Sequence, residues 1–584
     1  MFAIFKKLGW YFKLEKKRYI IAITLLALSG FIEIIPPMMV GWFIDDLKIG
    51  ALSWESITIT LLQLTGITVV AYLLNYVWIN KLFGGSFVVE RMLRSRLMRQ
   101  FLKMTPTFYE RNRTGDLMAR STNDLHAVSA AAGFGILTLS DSTVWMFTLL
   151  IIMSVGISWK LTLAALLPLP IMAVLFSVYG KWIHTRYTSA QDAFGKMNDG
   201  VLETISGVRV TRAYVQERAS ERDFAEVTQD VLNKNLDVTR VDALFGATSK
   251  IFVGASYLIG LGYGAYLVFN SELTVGKLVT FNVYLGMLIW PMIAIGELIN
   301  IMQRGNASLD RVNETLGYKP DVPEVEKPVQ TGMPETIHFD RVTFRYPSSS
   351  INNLESVSFE LKQGQTLGIV GRTGSGKTTL VKQLLREYPG GEGKITVSGK
   401  PIEQISMDDL KGWLGYVPQE QFLFSRTVES NIRFGQPDAT DQQIADALAT
   451  SAFQKDIAHL PRGLETLVGE KGVSLSGGQK QRVSIARALI TDPEVLILDD
   501  ALSAVDARTE AEIIRNIRQE RAGKTTLITT HRLSAVQHAD LILVLDEGRV
   551  TERGTHEELL RLGGWYMEQH ERQQVEAAEE DEVK

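Results

Sequence analysis

Six long apolar runs, at roughly residues 19–44, 57–79, 134–157, 161–180, 251–269 and 278–302, constrain this chain more than any other feature. Each is close to or above the ~20 residues a helix needs to cross a hydrocarbon core. One such run could be the buried helix of a large soluble protein. Six within the first 302 residues require a membrane-embedded helical domain, because only helices satisfy their own backbone in lipid. The first run follows "KKLGWYFKLEKKR", is too long for a signal peptide and lacks a small-residue cleavage site, so it is expected to be a retained span.

Lys and Arg set the orientation. Residues 1–18, 80–133 and 181–250 carry six, nine and ten of them, whereas the short connections 45–56, 158–160 and 270–277 carry one each. The asymmetry predicts both termini and the two long loops on the cytoplasmic side of the plasma membrane. Those loops are poor in Gly and Pro, which predicts long helices continuing the spans beyond the bilayer.

A break follows at "GYKPDVPEVEKPVQTGMPET", Gly317–Thr336, where four prolines and many charges exclude both a helix and an apolar core. The expected division is a membrane domain over 1–316, a linker over 317–336, a soluble domain over 337–570 and an acidic tail over 571–584 that is solvated and disordered. The soluble part alternates β-branched strands such as "TLGIVG" and "VLILDD" with helical segments, the pattern of an α/β domain built on a mainly parallel sheet. With no Cys there is no disulfide, thiolate metal site or Cys nucleophile. A net charge of −4 gives no support to nucleic-acid binding.

The strongest chemical motif is "GRTGSGKT", placed between the strand "QTLGIV" and the helical "LVKQLLREY". Gly371, Arg372, Thr373, Gly374, Ser375, Gly376, Lys377 and Thr378, with Thr379 following, form a P-loop that binds a nucleotide's phosphates. Lys377 is expected to reach the β- and γ-phosphates, and Thr378 to ligate Mg²⁺. Asp499, closing "VLILD", is placed to supply a carboxylate to the magnesium shell at the carboxyl edge of the sheet. Ser476, Gly477 and Gly478 offer a hydroxyl and close backbone donors suited to a γ-phosphate, although an ordinary helix cap would look the same.

"LSGGQKQR", Leu475–Arg482, with the P-loop upstream and "DDALSAVD" downstream, resembles the signature of ATP-binding-cassette (ABC) proteins. Over the whole chain the pattern resembles half of an ABC exporter: an all-α six-helix transmembrane domain followed by an α/β P-loop ATP-binding-cassette domain. The resemblance implies ATP and Mg²⁺ as cofactors, ATPase activity coupled to transport, and a second half-transporter as partner. It implies that ATP lies between the P-loop of one chain and the signature, here Ser476–Gln479, of the other. By the same resemblance Tyr346 stacks on adenine, Gln419 links Mg²⁺ and attacking water to the membrane domain, and His531 contacts the γ-phosphate. Ser503–Asp506 resembles the loop by which one cassette senses the other. Segments starting at Phe108 and Glu203 resemble the cytoplasmic loops that couple to cassettes.

One position departs from the family pattern. Where the family places a glutamate that polarises water, this chain has Asp500. Losing a methylene draws the carboxylate back by roughly 1.5 Å. A ~1 Å misplacement can cost about 100-fold in rate, or roughly 2.7 kcal/mol. With the other nucleotide motifs intact, the site resembles the hydrolysis-impaired half of a heterodimeric exporter whose partner carries an altered signature. A homodimer with two slow sites is the alternative.

Glu33, Asp141 and Glu297 fall within or near the spans, where carboxylates usually face the bundle interior. With Trp145, Trp290 and Met287 nearby they point toward amphipathic cations; inter-helix hydrogen bonds and an interfacial Glu297 are the competing explanation. The expected function is export of amphipathic drugs, with a lipid flippase or a non-transporting ATPase sensor as alternatives. The absence of a peptidase domain ahead of the first span disfavours a peptide-processing exporter.

Overall fold

The computed structural model describes residues 3–469, 472 and 474–582. The chain divides into two compact units, Met1–Phe101 with Gly115–Gly317 and Leu102–Thr114 with Tyr318–Lys584. One piece of the expected membrane domain, Leu102–Thr114, therefore groups with the cassette instead.

The first unit is helical. Among the described residues, five stretches are long and apolar enough to cross a membrane: Lys16–Lys48, Trp54–Lys103, Thr114–Leu166, Glu217–Phe269 and Val275–Gly317. The run expected at 161–180 is not one uninterrupted helix but is split between Trp159–Leu166 and Pro168–Ser206. Proline explains the break. Helical segments end at Glu33, Leu166 and Met287, each four residues before Pro37, Pro170 or Pro291. A proline has no N–H for the carbonyl four residues back, and its ring crowds that carbonyl. Ser158, in extended conformation, separates the third span from the fourth. Trp54–Lys103 has 50 residues and Glu217–Phe269 has 53. At 1.5 Å per residue each is roughly 75–80 Å long, far more than a ~30 Å core requires. Leu61, Leu62, Val155 and Leu258 stay exposed, as lipid-facing residues do.

Among the described residues the cassette has ten strands: β1 (Thr336–Phe344), β2 (Leu354–Lys362), β3 (Thr366–Gly371), β4 (Glu392–Val397), β5 (Lys400–Pro401), β6 (Leu414–Val417), β7 (Val495–Asp499), β8 (Thr525–Thr529), β9 (Leu541–Asp546) and β10 (Arg549–Gly554). Six form a sheet in the order β10-β9-β3-β8-β7-β6, parallel except for the β9–β10 edge. β7 and β8 are buried along their whole length. That is what a parallel sheet covered on both faces demands of its sequence. The other four form an antiparallel sheet, β2-β1-β4-β5, and one core holds Phe339 and Val357 of this sheet together with Leu367 and Ile497 of the other.

The acidic tail is not disordered over its described length: the helix Trp565–Glu582 runs through it, and Val583 and Lys584 lie outside the described residues. Ala and Glu are strong helix formers, and their propensity outweighs the like charges.

Candidate nucleotide site

Strand order assembles the site. β8 lies between β3 and β7, so the P-loop after β3 and Asp499 at the end of β7 share one carboxyl edge, two strands apart. Asp500 follows β7, His531 follows β8 by two residues, and Gln419 follows β6 by two. Carboxyl edges of parallel sheets are where α/β folds bind ligands.

The P-loop wraps tightly. Gly371 has φ +148°, and a Cβ there would lie 2.1 Å from the Leu545 carbonyl oxygen. Gly376, at φ +103°, caps the helix Lys377–Leu384, and a Cβ on it would meet the Asn353 carbonyl oxygen at 2.6 Å. Only glycine fits both positions. Arg372, Thr373 and Gly374 are exposed, whereas Ser375 is buried and its hydroxyl has no hydrogen-bond partner. Lys377 donates to the Gly371 and Arg372 carbonyls, both at 2.9 Å. Burial pulls its pKa down, opposed by the charges of Asp500 and Asp499. An orphaned hydroxyl, a partly desolvated ammonium and a helix N-terminus in a cradle that a Cβ would fill suit a polyphosphate.

Asp499, fully buried, accepts at Oδ1 from Thr378 (3.0 Å) and from Thr529 (2.6 Å), and at Oδ2 from Tyr416 (3.4 Å). Burial raises its pKa, partly offset by the two threonine hydroxyls. A divalent cation would offset the same penalty, and Mg²⁺ needs only one or two protein oxygens beside phosphate and water. Thr378 and Asp499 meet that need side by side.

Asp500 accepts from His531 Nδ1 at 3.0 Å through Oδ1 and from Gln419 Nε2 at 3.5 Å through Oδ2. The bond to Asp500 raises the His531 pKa above its ordinary value. Asp500 itself sits at φ +48°, its N–H held by the carbonyl (2.9 Å) and hydroxyl (3.1 Å) of Thr529. Aspartate tolerates left-handed backbone better than most residues. Shortness therefore does not detach Asp500 from His531 or Gln419 in this chain.

Tyr346 donates to Thr379 on the P-loop helix at 3.1 Å and meets Tyr388 edge-to-face at 4.9 Å. Tyr388 in turn donates to Glu110, within the Leu102–Thr114 segment. The segment from Glu203 turns at Gly207 into the short helix Val208–Ala213, with Val208, Val210, Tyr214 and Val215 exposed.

The signature stands elsewhere. Ser476 caps the helix Gly477–Leu489 and closes a capping box with Gln479. Gln479 Nε2 donates to Asp456 at 3.1 Å, as does Arg482 at 3.0 Å. Gly477 and Gly478 lie against Ala504. Gln481 donates to Ser503 at 3.1 Å and accepts from the Ala504 N–H at 2.9 Å.

Thr529, Tyr416, Asp456 and Gln481 escaped the sequence reading. Two of them carried a signal: Thr529 in "ITTHR", two residues before His531, and Gln481 inside "LSGGQKQR". In the membrane unit, Glu33 and Asp141 line one cavity of about 200 Å³ together with Trp145 and Trp290. Asn75 donates to Glu33 at 3.3 Å and Trp290 to Asp141 at 2.9 Å, so both acids make inter-helix hydrogen bonds. Glu297 lines a separate cavity. Met287 packs at the edge of the core around Phe281 and Tyr284.

Comparison with known proteins adds an independent line. Residues 19–292 match the family model described as ABC transporter transmembrane region, and residues 354–503 match the model described as ABC transporter. The chain is 60% identical to the "Probable multidrug resistance ABC transporter ATP-binding/permease protein YheI" of Bacillus subtilis, over 99% of each chain. It is 43% identical to the "Multidrug resistance-like ATP-binding protein MdlA" of Escherichia coli, over 99% of this chain and 98% of that one. It is also 34% identical to an "ATP-dependent lipid A-core flippase" of Pseudomonas fluorescens, over 81% and 78%. Among solved structures, a bacterial Atm1-family ABC exporter with ATP bound superposes with a TM-score of 0.79 at 26% identity, covering 96% of this chain and 99% of that one.

Proposed function

We propose, starting from a chain that belongs to the ABC transporter family as an exporter half-transporter, that it exports amphipathic drugs or related lipophilic compounds across the cytoplasmic membrane. The observation carrying this reading is the match over nearly the whole chain to two relatives named for multidrug resistance. ATP hydrolysis coupled to transport follows from the family. Both termini and the cassette lie on the cytoplasmic side, by the Lys and Arg distribution.

Bound Mg²⁺ and ATP supply the scissile phosphoanhydride and the charge that offsets it. Lys377 and the loop 371–376 bind the phosphates, Thr378 and Asp499 hold the cation, and Tyr346 faces the base. Gln419, His531 and Asp500 orient water and the γ-phosphate end. Ser476–Gln479 works on the nucleotide of a second half-transporter, and that chain's signature covers the P-loop of this one. Asp500 marks this chain's site as the slower of the two in a heterodimer. The segments 108–124 and 203–214 couple the cassette to the membrane half.

ATP-dependent accumulation of a cationic dye in inverted vesicles tests the export reading. No accumulation with intact ATPase activity would reject it. The flippase relative favours a second reading, which ATP-dependent movement of a fluorescent lipid between leaflets of proteoliposomes would support.

A further inference from the structure

The acidic end of the chain, read from sequence as a solvated tail, carries a residue that reaches the nucleotide site. The helix Trp565–Glu582 starts against β10, where the N–H groups of Trp565 and Tyr566 donate to the Glu552 carboxylate at 2.6 and 3.3 Å. Tyr566 is fully buried, in one core with Leu498, Ile528 and Val544 of β7, β8 and β9. Tyr566, His570 and Gln573 follow at intervals of four and three, so they share one face of the helix. That face continues from the core to the loop after β8: the His570 ring stands 5.1 Å from that of His556, and Gln573 meets the backbone of residues 531 and 533.

The Gln573 amide makes two hydrogen bonds of opposite sense there. Its Nε2 donates to the His531 carbonyl at 2.8 Å, and its Oε1 accepts from the Leu533 N–H at 2.9 Å. Leu533 opens the short helix Leu533–Ala535, and the first N–H groups of a helix have no partner within it. Arg532, directly before, has no acceptor in its side chain and supplies no cap. Gln573 supplies one from 40 residues away.

The His531 loop is therefore held from two sides. Toward the segment Ser503–Asp506, Arg532 donates to the Val505 carbonyl and to Glu510, both at 2.9 Å, and Ser534 donates to Glu510 at 2.6 Å. On the other side stands Gln573. The His531 side chain is 54% exposed, so packing does not fix its aim. Its bond to Asp500 and the backbone it stands on do.

We propose that Gln573 is a positioning residue of the nucleotide site: by bonding the backbone on both sides of Arg532, it holds His531 where the imidazole meets a γ-phosphate. The inference rests on the reading of His531 as a γ-phosphate contact and adds the C-terminal helix to that site. A side-chain amide suits the role because it donates and accepts at once, whereas a carboxylate only accepts.

The test compares azido-ATP with azido-ADP as photolabels of this chain in the full-length assembled transporter, on ice and with Mg²⁺. The probes differ only in the γ-phosphate, so the ratio of their affinities isolates contacts to it. His531→Ala should lower the preference for the triphosphate about tenfold, the scale of one charge-assisted hydrogen bond. Gln573→Met keeps the length of the side chain and removes both hydrogen bonds; it should lower the preference about threefold, the scale of one neutral hydrogen bond, while the diphosphate labels as before. Gln573→Glu puts a charge against the His531 carbonyl and should lower the preference at least as far. A helix that merely packs would keep the full preference in Gln573→Met. That result, or an equal loss of both probes in the two Gln573 variants, would overturn the positioning role. If His531→Ala lowers the preference and neither Gln573 variant does, the reading of His531 stands and the role of Gln573 alone is rejected. If His531→Ala changes nothing, the γ-phosphate reading fails and the positioning role falls with it.

Discussion

The helix beginning at Lys377 and the helix beginning at Gly477 both start from glycine and serine, yet their N-termini are finished in opposite ways. At the first, left-handed Gly376 provides no side-chain cap, the buried Ser375 hydroxyl is unpaired, and Lys377 rests on two loop carbonyls. At the second, Ser476 and Gln479 close a capping box and Asp456 pins Gln479 from behind. One end keeps its polar groups available, and the other has used them to hold its own shape. A loop that folds around a ligand of its own chain can wait for that ligand to complete it. Under the proposed sharing of ATP between two chains, the end that meets the other chain's ligand is the one already rigid.

The sharpest way to break this contrast is Ser476→Arg, which removes the cap and places bulk and charge at the rigid end. ATPase activity of the assembled transporter should fall about 100-fold, the scale of a ~1 Å misplacement at a reacting centre. Wild-type phosphate release would mean that the capped end serves no site. Lys377→Ala addresses the open end. Losing one charge-assisted hydrogen bond, worth ~1.5–3 kcal/mol, should weaken nucleotide photolabelling of this chain roughly 10- to 100-fold. Undiminished labelling would show that Lys377 does not hold the nucleotide.

Asp500 sharpens the comparison further. If this site chiefly holds ATP while its counterpart turns over, Asp500→Asn should keep at least roughly a third of steady-state ATPase activity in the heterodimer. Glu→Gln at the matching partner position should lose about 100-fold. A homodimer, or an aspartate acting as a full catalytic base, would lose nearly everything with Asp500→Asn. Asp500→Glu should raise turnover no more than severalfold, because it restores reach without changing the partner and places a longer side chain at φ +48°.

The smallest expected effect concerns pH. Asp500 raises the folded-state pKa of His531. The pair's stabilisation is therefore complete below the unfolded His pKa of about 6.5 and is lost as pH rises through the higher folded value. Asp500→Asn should lower the thermal unfolding temperature of the transporter more at mildly acidic than at alkaline pH. An equal drop at both would show that the 3.0 Å contact carries no protonation-linked stability.

The order of the strands and the breaks in the spans divide what was legible in the chain from what was not. Apolar runs, the P-loop spacing, "VLILD" and "LSGGQ" are local patterns, and local patterns determine where membrane helices, a phosphate loop and a signature helix arise. Prolines 37, 170 and 291 also stand in the sequence, but whether a proline ends a helix or only bends it depends on the packing around it; here a break precedes each one by four residues. Tertiary structure alone decided that β8 lies between β3 and β7, and so that Thr529 ties Asp499 to the backbone of Asp500. It alone left the Ser256 hydroxyl unpaired, while Asn75 and Trp290 satisfied Glu33 and Asp141. Hydrogen-bond partners that lie tens or hundreds of residues apart are chosen by how strands and helices pack, and periodicity along the chain carries no record of that choice.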